Sequence, residues 1–360
     1  VTDLLIASAS APVPIYLASS DDWQAVQARL PARVVRFAEI SGFAGQAGRH
    51  LVVPNARGDV ALVLAGQPPE GQRHRDPFAP GRLSALLPPG DYVLRGRQAD
   101  PAAAALAWLL SAYRFARYRT AAPVEARLVA PRGVDIAEAV RIAEAVAASR
   151  DLVNTPANDL GPDELEASVR ALAAAHGAQV HVTLGDDLIA ANFPMIHAVG
   201  KASTRAPRLI DLSWGEAHHP KVTLVGKGVV FDTGGLNIKP DNAMLLMKKD
   251  MGGAAAAIAA ARMVMGARLP VRLRLLVPAV ENAIAGNAFR PGDVLQSRKG
   301  FTVEIGNTDA EGRLILADAL ALADEEAPAF IADFATLTGA ARVALGPDLP
   351  PFYTHNDGLR

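Results

Sequence analysis

The chain contains no cysteine, which excludes disulfides and thiolate metal sites. Any metal would have to be held by Asp, Glu, His or Lys. It also has almost no net charge: 36 Lys and Arg stand against 37 Asp and Glu. That balance argues against a mainly electrostatic attachment to nucleic acid or to an anionic membrane. No apolar run approaches the ~20 residues of a membrane-spanning helix, and no basic segment followed by a long apolar stretch opens the sequence. There is no repeat of fixed period. The alanine runs at 102–105 and 254–261 read as close-packed helix faces rather than low-complexity tracts. Val1 stands where an initiator methionine would, so a few leading residues are expected to precede it.

What is present is globular. Half of the residues are apolar and a fifth charged, and 360 residues predict two domains. The first third alternates short strands (13–18, 51–54, 59–65, 92–95, 125–130) with helices over 23–30 and 100–119. Ser20-Asp21-Asp22 would cap the first helix, and Asn55-Ala56-Arg57-Gly58 would turn a hairpin. Pro131-Arg132-Gly133 punctuates the end of this α/β domain, placing the domains at 1–131 and 132–360. A helix over 135–152 leads into a polar, proline-bracketed loop, Asn154 to Pro162, and a helix over 163–176. Strands over 179–183, 221–225, 272–280, 302–305 and 330–333 then alternate with helices over 253–265 and 312–324. These strands are continuous Val/Leu/Ile runs, as a sheet covered on both faces requires. Three features read as structural: Arg57-Gly58-Asp59 in its turn, His218-His219 in a polar loop, and Gly226-Lys227-Gly228, which lacks the frame of a phosphate loop.

The segment most informative about chemistry is Asn307-Thr308-Asp309-Ala310-Glu311-Gly312-Arg313-Leu314. Carboxylates at i and i+2 can converge on one point if the backbone is extended, an arrangement that hard divalent cations need. The arginine cannot ligate a cation, but can hold an anion beside one. A second cluster, from Lys221 to Pro240, follows a buried-type strand and carries Lys227, Asp232 and Lys239. Charges just beyond core strands lie at the carboxyl edge of an open α/β sheet, where such folds place their sites. A third, Lys248-Lys249-Asp250, stands at the mouth of the alanine-rich helix. Taken singly, Asp250 and Asp309 read equally well as helix N-terminal acids, Asp232 as a turn former and Lys227 as a solvated lysine. Together, four acids and two lysines at strand ends would be an unpaired charge cluster unless metal neutralised them.

In the order and spacing of these residues the chain resembles the leucyl aminopeptidase family, the M17 dinuclear metallo-aminopeptidases. The stretches that carry the resemblance are VGKGVVFDTGGLNIKP, KKDMGGAA, NTDAEGRLILADAL and DFATLTGA, with LVNTPANDLGP at the start of the second domain. The close likeness covers residues 150–345. It implies an N-terminal small α/β (macro-like) domain and a three-layer α/β/α catalytic domain with a mixed sheet. Two divalent metals, zinc or manganese, are implied: one held by Lys227, Asp232, Asp250 and Glu311, the other by Asp232, Asp309 and Glu311, with the Asp309 carbonyl assisting. Lys239 and Arg313 would be catalytic.

Two nearby cations would depress the pKa of Lys227 far enough for it to ligate as a neutral amine. A metal pair about 3.5–4 Å apart activates a bridging water. The family uses an arginine-bound bicarbonate as general base, which here implies Arg313 with Gly312 and Leu337. Met247, Asn307, Ala310, Thr336 and Gly339 would contact the substrate, a short peptide with an apolar N-terminal residue such as leucine. A cytoplasmic homohexamer is implied. Family members run on for roughly another hundred residues after LTGA, the length of a small domain. Two readings from other classes stand beside this one. The first is a DNA-binding regulator with a basic stripe at Arg29, Arg33, Arg36, Arg73 and Arg75; the second is a catalytically inactive scaffold on the same fold.

Overall fold

The computed structural model describes residues 2–359. They form two compact units, Val1–Asp151 and Leu152–Arg360. In the first, six strands run in the order Leu5–Ile6, Ala126–Val129, Gly90–Arg95, Val13–Ala18, Val60–Gly66, His50–Pro54. All pair in parallel except the last. Alternate residues of one strand serve two cores, as a pleated strand between layers requires. Val63 packs with Trp108, Leu109 and Ala143, whereas Leu62 and Leu64 pack with Val34 and Ala38 of the helix Ala32–Ile40.

Two expected helices are shorter than their sequence suggests. The helix expected over 100–119 is Pro101–Ser111, capped by Asp100, whose carboxylate accepts from the amides of Ala102 and Ala103. Beyond Ala112 the residues up to Thr120 are mostly exposed, so no buried face remains to carry the helix on. The helix expected over 23–30 is Trp23–Gln27, and Asp22 does not cap it. Its carboxylate instead accepts from the Ser19 amide at 2.6 Å and from buried Arg73 at 2.6 Å. Arg73 therefore cannot belong to a solvent-facing basic stripe.

The second unit is a three-layer sandwich around a mixed sheet, in the order Phe330–Phe334, Lys221–Gly226, Arg272–Asn282, Arg208–Trp214, Gln179–Leu184. The first three pair in parallel, and Arg208–Trp214 pairs antiparallel with both Arg272–Asn282 and Gln179–Leu184. Gly228–Asp232 adds in parallel to the far end of Arg272–Asn282. Helices Pro162–His176 and Gly252–Gly266 bury Leu165, Val169, Ala254 and Ile258 against Leu224, Leu273 and Leu275. Helices Pro194–Gly200 and Glu311–Glu325 bury Ile196, Ile315 and Ala319 against Val225, Leu276 and Val280. The strand expected over 302–305 lies outside this sheet; Thr302–Glu304 pairs only with Val294–Gln296 among the described strands. No described helix is long and apolar enough to cross a membrane.

Candidate metal centre

The parallel strands of the second unit deliver the charged clusters to their carboxyl ends. Lys227 lies between Lys221–Gly226 and Gly228–Asp232. Its amide donates to the Phe334 carbonyl at 2.9 Å, and its carbonyl accepts from the Ala254 amide at 2.8 Å. Pinned on both sides, the buried side chain reaches inward. Nζ donates to Asp250 Oδ2 at 2.7 Å and to the Thr336 carbonyl at 3.0 Å, and lies 3.0 Å from Glu311 Oε1. Gly312 makes that approach possible: a Cβ there would stand 2.4 Å from Lys227 Cε.

Asp232 closes its strand and is 2 % exposed. Its Oδ1 accepts from the Gly234 amide at 2.9 Å and from Asn282 Nδ2 at 2.8 Å, while Oδ2 lies 2.9 Å from Lys239 Nζ. The chain can double back here because Gly234 and Gly235 take φ of 87° and 63°, a region that favours glycine. That turn brings Lys239 home, where it also pairs with Asp309.

Asp309 and Glu311 do meet Asp232, but not on an extended backbone. Thr308–Ala310 is a 3-10 turn, capped by Asn307, whose Oδ1 accepts from the Asp309 amide at 2.8 Å. The helix Glu311–Glu325 starts directly after it. The bend, rather than a strand pleat, brings the two carboxylates to one side. One oxygen each from Asp232, Asp309 and Glu311 lies within 4.8 Å of the others. Asp250 sits at the helix mouth expected of it, yet its carboxylate is engaged by Lys227 and by the Thr336 hydroxyl, 2.9 Å from Oδ1. The second lysine of that cluster, Lys249, lies 3.6 Å from Asp250 Oδ1 and is partly exposed.

Burial pushes the Glu311 carboxyl up to about 7; Asp232 and Asp250 add to this and Lys227 opposes it. Burial, with Asp232 beside it, also raises Asp309 against the pull of Lys239. Burial disfavours both ammonium groups as well, but the carboxylates outweigh it and hold Lys227 and Lys239 above the ordinary lysine value. Both Glu311 oxygens are buried with no aligned hydrogen bond, the ion pair to Lys227 notwithstanding. Buried carboxylate oxygens left in this condition, beside two further carboxylates, form a donor set that fits a hard divalent cation.

The other residues singled out from the sequence surround this cage unevenly. Met247 and Ala310 are half-buried, and Asn307, Leu337 and Gly339 are exposed. Arg313 is exposed, and no ion pair or hydrogen bond holds its guanidinium among the described residues. Three supporting residues have no role legible in the sequence, although Thr308 and Asn237 lie inside the stretches that carry the family resemblance. Asn282 bonds Asp232. Thr308, fully buried, donates through Oγ1 to the Gly234 carbonyl at 2.6 Å. Asn237 accepts from the Thr308 amide at 2.8 Å.

Residues 147–360 match the catalytic domain of the cytosol aminopeptidase family, and residues 13–131 match the M17 aminopeptidase N-terminal domain. The chain belongs to the M17 cytosol aminopeptidase family. It is 40 % identical over 362 residues to a protein of Leifsonia xyli named a probable cytosol aminopeptidase, covering 94 % of this chain and 72 % of that one. The crystal structure of a cytosol aminopeptidase from Coxiella burnetii superposes with a TM-score of 0.89 at 46 % identity, over 96 % of this chain and 75 % of that one. The bottromycin maturation enzyme BotP, solved in complex with Mn, gives a TM-score of 0.81 at 32 % identity, over 94 % and 75 %. Further curated relatives are matched over only 52 % and 53 % of their own length. The second unit is thus the catalytic domain of an aminopeptidase.

Proposed function

We propose that this chain acts as a metal-dependent aminopeptidase in the cytoplasm. It would remove the first residue of short peptides, with a preference for apolar residues such as leucine. The observation that carries the reading is the convergence of Asp232, Asp309 and Glu311 within 4.8 Å, with both Glu311 oxygens buried and lacking an aligned hydrogen bond. Lys227, Asp232, Asp250 and Glu311 would hold one divalent cation, zinc or manganese. Asp232, Asp309 and Glu311 would hold a second. BotP, solved with Mn, supports manganese as a candidate. Bound there, the cations would supply Lewis-acid polarisation and a nucleophilic water, and a bicarbonate on Arg313 would supply the base.

The chain's own side chains have separate tasks in this scheme. Lys239 presents positive charge to a carbonyl oxygen that becomes negative. Arg313, exposed and unpaired among the described residues, offers a planar two-point grip to a small oxyanion, and Gly312 and Leu337 would complete that site as the family resemblance implies. Asp250 places negative charge where a free α-amine would enter, which favours exo-cleavage. Met247, Ala310, Thr336 and Gly339 would border the first side-chain pocket, with Asn307 also binding substrate. We assign residues 1–131 to an N-terminal domain and 132–360 to catalysis, and the assembly to a homohexamer.

The test is hydrolysis of leucine-p-nitroanilide by the full-length gene product, stripped with chelator and reloaded with Mn2+ or Zn2+. Activity should vanish on stripping and return with metal. Glu311→Gln should lose about a hundredfold or more while keeping its native circular dichroism. Hydrolysis that survives complete metal removal would overturn the reading. An undiminished rate in Arg313→Ala would remove the bicarbonate role alone.

A further inference from the structure

The strand Arg272–Asn282 ends opposite Asp232, and Asn282 is the register partner of Asp232 in the parallel pair. Asn282 is 1 % exposed. Its Nδ2 donates in two directions: to Asp232 Oδ1 at 2.8 Å and to the Thr308 carbonyl at 3.2 Å. One amide therefore ties the end of a core strand to the residue just before Asp309. The backbone fixes the amide in turn, since the Asn282 carbonyl accepts from the Thr233 amide at 3.1 Å and its hydroxyl at 2.7 Å.

The consequence lies in how the two Asp232 oxygens are divided. Oδ1 already takes two donors, Asn282 Nδ2 and the Gly234 amide. Oδ2 pairs with the ammonium of Lys239, at 2.9 Å. A carboxylate with one oxygen fixed in this way is oriented, and only its other oxygen is free to face Asp309 and Glu311. The asparagine's own Oδ1 is buried with no hydrogen-bond partner, so the group is held there at a cost. Packing alone would be served by an apolar residue of the same shape.

We propose that Asn282 is a positioning residue of the metal centre: it reserves Asp232 Oδ1 and so commits Asp232 to ligating metal through Oδ2 alone, while holding the Thr308–Asp309 segment at a fixed distance from it. This rests on the metal-site reading above. Asn282 touches neither substrate nor metal and acts through Asp232.

The test uses the full-length protein, chelator-stripped and then titrated with Mn2+. Wild type and Asn282→Ala are compared by metal content after dialysis, by calorimetric titration and by the electron paramagnetic resonance of the loaded protein. Asn282→Ala should bind Mn2+ about 10–100-fold more weakly, and its spectrum should shift from that of a coupled pair toward isolated ions. A purely structural role would lower the melting temperature of the stripped protein and leave both metal readouts unchanged in the folded fraction; that result overturns the proposal. If Asn282→Ala does not fold, Asn282→Ser carries the same comparison, because its hydroxyl is too short to reach Asp232. Wild type that binds no Mn2+ at all would defeat the metal-site reading and the proposal with it. Wild type that binds while both variants bind equally well defeats the proposal alone.

Discussion

A carboxyl raised to about 7, as Glu311 is, keeps its proton in the folded chain over a pH range where the unfolded chain has released it. The contribution is fully present below the unfolded value, about 4.3, and is lost as pH rises through 7. The chelator-stripped protein is therefore expected to lose on the order of 3 kcal/mol of stability across that window. Urea midpoints measured at several pH values check this, and Glu311→Gln should flatten the trend. Saturating Mn2+ should reverse it, since a cation binds the ionised form. Gly312 makes a second prediction at this scale. Alanine there would crowd Lys227 Cε at 2.4 Å, so Gly312→Ala should cost about 1–3 kcal/mol in a denaturant titration. A Gly312→Ala protein as stable as wild type would show that the lysine has room to move.

At the scale of elements, the helix Glu311–Glu325 is anchored by a residue well away from the metal cage. Asp318 is fully buried and accepts from the amides of Met195 at 2.8 Å, Ile196 at 3.4 Å and Arg298 at 2.9 Å. Burial pushes its carboxyl up against those three donors. Asp318→Ala would leave three backbone donors facing apolar surroundings, an expected loss of about 2–4 kcal/mol in urea. The same element shows what a sequence can and cannot disclose. Asp309 and Glu311 were legible because two acids and an arginine ahead of an apolar helix form a rare local pattern. Lys227 and Asp232 were legible because they punctuate a Val-rich strand. Asn282 and Asp318 were not, since each is a single polar residue whose partners lie 20 to 123 positions away. The strand Gly228–Asp232 was hidden by the glycines on either side of Lys227. Arg208–Trp214 was hidden because its charges, at Arg208 and Asp211, are neutralised by Glu166 and Arg274.

Across the whole molecule, each unit has its own buried cores, but apolar exposure is uneven. Val343 is 85 % and Tyr353 92 % exposed, Leu349 and Phe352 are exposed as well, and the outer edge of Phe330–Phe334 pairs with no described strand. Open strand edges and exposed apolar side chains both invite association. Sedimentation of the 360-residue chain should show concentration-dependent self-association, and Val343→Glu with Phe352→Glu should weaken it; a monomer at all concentrations would contradict this. The metal cage stands at the other extreme. The surface pairs Arg97–Glu70 and Lys299–Asp324 face water, where salt screens charge over about 8 Å at physiological ionic strength. Lys227, Asp250 and Glu311 show side-chain exposures of only 3 %, 3 % and 1 %, so mobile ions cannot come between them. Concentrated salt should therefore loosen the periphery while the local field at Glu311, and with it that carboxyl's titration midpoint, stays where it was.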